Sequence, residues 1–72
     1  MSRDRLVEID CIGMRCPIPI IRAAKALKVY DEILLLSDDP ATLPDLHAWS
    51  RMTGNSFSVL GPTKFVVTRF AG

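Results

Sequence analysis

A two-layer α/β (α+β) sandwich in βαβαββ order is the fold class this sequence predicts, with two helices on one face of a four-stranded mixed sheet. Three observations carry it. The hydrophobic spacing changes back and forth between a strand period and a helix period along the chain. Each helical stretch opens on proline-containing sequence, and the second closes on Gly54-Asn55. Two further strand-like runs then flank G-P-T, a hairpin pattern. Strands that alternate with helices and end in a hairpin bury their apolar faces most simply in two layers.

The elements follow in order. Residues 6–11, L-V-E-I-D-C, alternate, with Val7, Ile9 and Cys11 on one face and Leu6, Glu8 and Asp10 on the other. That is a strand with one buried side. Residues 17–28 take a helical period, with Ile20, Ala23, Ala24 and Leu27 on one stripe and Arg22, Lys25 and Lys28 elsewhere. E-I-L-L-L-S, residues 32–37, is apolar on both faces and reads as a central strand. A second helix is expected over 43–53; Thr42 with Asp45 three residues on resembles a capping box, and Pro44 falls in the first turn. Its stripe makes Leu46 and Trp49 core residues and leaves His47 at the boundary. Residues 56–60 and 64–70 complete the hairpin. The crossover makes the first two strands parallel and right-handed, so both helices begin on one sheet edge, where ligands meet open α/β sheets. Cys16 and the Asp38-Asp39 pair are thereby expected to share that edge.

Length and composition narrow the function. The 72 residues make one domain, 1–72, and a chain of this size buries only about 60% of its unfolded surface. A deep substrate cavity does not fit such a core. Nine Lys/Arg against eight Asp/Glu leave too little excess charge for direct nucleic-acid binding. No apolar run is long enough to span a membrane, and M-S-R-D-R-L-V-E has no leader-like stretch, so the cytoplasm is the expected compartment. Thiols stay reduced there. Two cysteines and one histidine supply no four-ligand metal set, and no metal or cofactor is expected.

The chemistry concentrates in G-M-R-C-P-I-P-I-I-R, residues 13–22. A residue before proline is pushed toward extended geometry. Cys16 is thus expected as the helix N-cap, with Pro17 at the first helical position and Pro19 still in the first turn. The prolines remove two orphan N–H donors and stiffen a solvent-facing helix mouth. The positive end of the helix dipole and Arg15 favour a thiolate there, moderately, since few N–H groups remain to hold it. The plain reading of such a cysteine is a small buried hydrophobe; its placement favours a reactive sulfur. Cys11 has the opposite balance and reads as core. Arg22, Lys25 and Lys28 are first a solvated helix face, and second a docking patch for an acidic partner.

Two stretches, I-D-C-I-G-M-R-C-P-I-P-I and L-L-L-S-D-D-P-A-T-L-P-D-L, together resemble the TusA/SirA-like sulfur carriers. The hallmarks of that family are a hydrophobic–Asp pair, then Gly (here Gly13), then Cys-Pro-x-Pro, with Asp-Asp-Pro-Ala downstream and an Asp a few residues later. The resemblance covers nearly the whole chain. It implies a persulfide carrier, in which Cys16 takes a sulfane sulfur from a cysteine desulfurase or rhodanese-type donor and relays it to an acceptor protein. Destinations in the family include tRNA thiolation, molybdenum-cofactor synthesis and sulfur metabolism. The sulfur is covalent cargo, and the protein is a sulfurtransferase component rather than a self-sufficient catalyst.

The chain departs from the family pattern at three places. Trp49 is followed by Ser50 where many members have cysteine, Gly54-Asn55 replaces Gly-His, and K-V-Y-D-E replaces a Gly-Glu turn. Two rivals stand beside the carrier: a thiol redox protein using Cys11 and Cys16, and a small RNA- or protein-binding module.

Overall fold

The computed structural model describes residues 6–70; residues 1–5, most of the segment read for a leader, lie outside them. The order is β1 (Val7–Asp10), α1 (Ile18–Ala26), β2 (Glu32–Leu36), α2 (Thr42–Thr53), β3 (Ser56–Gly61) and β4 (Lys64–Thr68). The strands form one sheet in the order β1-β2-β4-β3. β1 runs parallel to β2, and the other pairings are antiparallel. The expected βαβαββ mixed sandwich is therefore the fold.

β2 is apolar on both faces because it is flanked on both sides. Its inner residues Ile33 and Leu35 are fully buried, in register with Val67 and Phe65 of β4 and with Val7 and Ile9 of β1. Ile20, Ala23 and Leu27 from the α1 segment and Leu46 from α2 close over this face, with Trp49 packed against the cluster. Leu34, Leu36 and Val66 lie on the other face and are half-buried. Cys11 follows β1, pairs its N–H with the Leu36 carbonyl at 2.8 Å and is completely buried, as its alternation requires.

The structure corrects three local expectations. Pro17, not Cys16, is the N-cap of α1, and Pro19 falls within the first turn. A turn closed by the Ile18 N–H on the Arg15 carbonyl (2.9 Å) precedes the helix, and the Cys16–Pro17 peptide within it is cis. The Thr42–Asp45 capping box does not form: Ala41 is the cap, and Thr42 is already helical with its hydroxyl turned inward. β4 ends at Thr68, short of residue 70. Arg69 is drawn instead to the α1–β2 connection: its N–H meets the Asp31 carbonyl at 2.8 Å, and its guanidinium pairs with the Asp31 carboxylate.

Two departures from the family pattern find structural uses away from Cys16. Gly54 ends α2 at φ +84°, where glycine is favoured, and an added Cβ would meet the Phe70 ring at 3.2 Å. Asn55 accepts the Phe70 N–H at 2.6 Å through its side-chain oxygen. Arg69 also donates to the Leu27 carbonyl (3.2 Å), so K-V-Y-D-E is fastened to the end of the described chain.

Candidate functional site

The site is assembled from two loops that leave the C-terminal ends of parallel strands. After β1 the chain turns at once: Asp10 accepts the Ile12 N–H at 3.1 Å, and Met14 donates to the Cys11 carbonyl at 3.0 Å. Gly13 sits at φ +85°, a conformation that disfavours side-chain-bearing residues. Its N–H is thereby aimed at the Asp38 carboxylate, 2.9 Å away on the β2–α2 loop.

Asp39 completes the join. One oxygen accepts the Cys16 N–H at 3.2 Å, and the other accepts the Ala41 N–H at 2.7 Å. Its own carbonyl takes the Thr42 N–H at 3.0 Å. A single carboxylate thus ties the cysteine loop to the mouth of α2. Carboxylates accept such N–H bonds more strongly than neutral groups do. The shared edge expected for Cys16, Asp38 and Asp39 is present, and the two acids act as struts.

Cys16 itself is half-buried, less open than a solvent-facing cap. Its Sγ lies 3.4 Å from the Thr42 hydroxyl, which lies 2.6 Å from the Ser37 hydroxyl. Both hydroxyls belong to residues only 1% exposed. The Asp45 carboxylate, from the first turn of α2, disfavours the anion of this thiol. Burial pushes the thiol above its ordinary pKa; the Thr42 hydroxyl opposes that rise, and the Asp45 and Asp39 carboxylates add to it. This reverses the expected bias toward thiolate. The sulfur is desolvated and near carboxylates, and both disfavour the anion.

The other candidate residues separate. Arg15 precedes Cys16 in the chain and is exposed. Arg22 acts on Cys11 rather than Cys16, lowering a thiol that burial raises. With Lys25 it rims a shallow groove of about 460 Å³ lined by Ile9, Ile18 and Ile21. His47 is remote from this chemistry and stacks edge-on against Phe57, with ring centroids 5.1 Å apart. Ser50, in the family's cysteine position, donates to the Asn55 carbonyl at 2.5 Å.

Ser37, Thr42 and Asp45 are the residues that sequence reasoning missed as neighbours of the sulfur. A signal existed for the first: a serine ending a buried apolar strand must find a hydrogen-bond partner. Among the described residues, no helix is long and apolar enough to cross a membrane.

Comparison with known proteins adds the family context. Residues 7–69 match the family model described as Sulfurtransferase TusA. The chain is 35% identical over 51 residues to the "Sulfur carrier protein TusA" of Allochromatium vinosum, covering 67% of each protein. It is also 35% identical over 66 residues to a "Putative sulfur carrier protein" of Archaeoglobus fulgidus, covering 88% of this chain and 86% of that one.

Proposed function

The chain belongs to the TusA sulfurtransferase family, and from that premise we propose that it carries sulfane sulfur as a persulfide on Cys16. One observation carries the assignment to that residue. Of the two cysteines, only Cys16 is accessible, while Cys11 is fully buried with its thiol pushed up by that burial.

The chemistry is thiol–persulfide exchange. Cys16 loses its proton, and the thiolate attacks the outer sulfur of a donor persulfide. A new S–S bond forms at Cys16 as the donor's S–S bond breaks. The electron pair leaves on the donor sulfur, which takes up a proton, so no net oxidation occurs. Delivery reverses the roles: an acceptor thiolate attacks the outer sulfur, and Cys16 departs as thiolate. A protein in this role needs an oriented, reachable sulfur and no deep pocket. Asp38 and Asp39 supply the orientation, and the elevated thiol pKa fits a carrier that rests protonated between partners.

The donor is a cysteine desulfurase or rhodanese-like protein and the acceptor a downstream protein thiol, both meeting the chain in the cytoplasm. Incubation with a desulfurase and cysteine should add the mass of one sulfur to the peptide containing Cys16. An internal loss of two hydrogens joining Cys11 and Cys16 would instead mark a redox protein.

Arg15 and Arg22 give the approach its sign. Both are exposed, one next to Cys16 in sequence and one on the groove at α1, so an acidic rim around the donor's cysteine is favoured. Replacing both with Glu should slow loading several-fold at low salt and flatten its salt dependence, since exposed charges are screened beyond about 8 Å at physiological ionic strength. Loading that is unchanged at low salt would place donor docking on another surface.

A further inference from the structure

Two buried hydroxyls lie in a line from the Cys16 sulfur into the protein. Ser37 and Thr42 lie 2.6 Å apart, oxygen to oxygen, and Thr42 continues the line to Cys16 Sγ at 3.4 Å. A single proton occupies the short link between the hydroxyls. If Ser37 provides it, the Thr42 proton is free to point at the sulfur. Linked hydroxyls of this kind polarise one another where water is excluded.

We propose that Ser37 and Thr42 form a two-hydroxyl relay that donates a hydrogen bond to the Cys16 sulfur in its anionic state. Thr42 touches the reacting atom; Ser37 is a positioning residue that acts through it. The same sulfur is anionic twice in the cycle, as the nucleophile that attacks the donor and as the group that leaves on delivery. The relay serves both moments. The charged groups facing the sulfur are Asp45 from α2 and Asp39 from the β2–α2 loop, and both oppose the anion. An anionic sulfur can only accept a hydrogen bond, and Thr42 is the hydroxyl within reach of it. Arg15, the adjacent cation, is exposed. The relay is thus the built-in donor that makes an anion tolerable between two carboxylates.

The inference rests on the persulfide reading for its purpose, but its test needs no sulfur donor. Iodoacetamide alkylation of Cys16, followed across pH by peptide mass spectrometry, reports the anion directly. Thr42→Val should raise the midpoint of that profile by about one pH unit, as expected for loss of one hydrogen bond to a charged group. At neutral pH the anion falls about tenfold, partly offset by the higher reactivity of a more basic sulfur, so alkylation slows roughly threefold. Ser37→Ala should move the midpoint the same way by less, and Thr42→Ser should restore it. Asp45→Asn should move it down and speed neutral-pH alkylation. A purely structural role would lower the melting temperature and leave the midpoint in place. An unmoved midpoint in folded Thr42→Val, or in Ser37→Ala if Thr42→Val does not fold, overturns the relay. Failure of persulfide loading in the unmodified protein would overturn the carrier reading and leave the relay standing.

Discussion

Cys16→Ser is expected to abolish sulfur acceptance outright while shifting stability by no more than about 1 kcal/mol. A hydroxyl cannot form the S–S bond of the proposed persulfide. Its smaller oxygen still faces Thr42, and the backbone N–H of residue 16 still binds Asp39. Cys11→Ser should do the reverse. That side chain is fully enclosed against the core formed with Ile33, Leu35 and Ala23. A hydroxyl there loses water without gaining an assured partner, at a cost of about 1–3 kcal/mol. The variant should still accept sulfur. Differential alkylation gives the same contrast without mutation: Cys16 reacts in the native protein, and Cys11 catches up only on denaturation. If either substitution alone stopped transfer in a folded protein, a two-cysteine mechanism would replace the one-sulfur relay.

The difference in burial between the two cysteines was legible because it depends on local pattern. Cys11 continues the alternation of Val7 and Ile9, and alternation fixes the face of a strand. The order of elements was legible for the same reason, and with parallel β1 and β2 it placed Cys16 beside Asp38 and Asp39. The electrostatic character of the sulfur was not. Local reasoning offered Arg15 and the helix dipole, whereas burial sets the direction first, and Asp39 and Asp45, 23 or more residues along the chain, add to it. Thr42 shows how a local motif can mislead. Its spacing to Asp45 suits a capping box, but the Asp39 side chain already holds the Ala41 N–H, leaving Thr42 free to turn toward Ser37. The end of β4 escaped for a similar reason: Arg69 has a strand-like neighbourhood in sequence and an ion-pair partner, Asp31, that only the fold supplies.

Asp39→Ala should be the most damaging single change at the site outside Cys16, through shape rather than charge. The carboxylate bridges two backbone N–H groups, those of Cys16 on one loop and Ala41 on the other. Hydrogen bonds to a charged acceptor are worth about 1.5–3 kcal/mol each. Both groups lie near the surface and can take up water, so a total loss of about 2–3 kcal/mol is expected. Against roughly 4–11 kcal/mol for a domain of this length, that is a large share. Asp38→Ala removes only the exposed Gly13 contact and should cost less than about 1 kcal/mol. The variants also separate reactivity from transfer. Asp39 opposes the Cys16 anion, so its removal should lower the alkylation midpoint and quicken reaction with a small reagent at neutral pH. Loading from a protein donor should nevertheless slow, because the loop no longer presents the sulfur at a fixed angle. Asp39→Asn, which keeps one acceptor oxygen and loses the charge, should fall between wild type and Ala in stability and follow Ala in alkylation. Urea unfolding alongside the two rate measurements checks all three expectations. Equal stability of the Asp38→Ala and Asp39→Ala proteins would show that Asp39 is no strut, and faster loading in Asp39→Ala would show that orientation does not limit transfer.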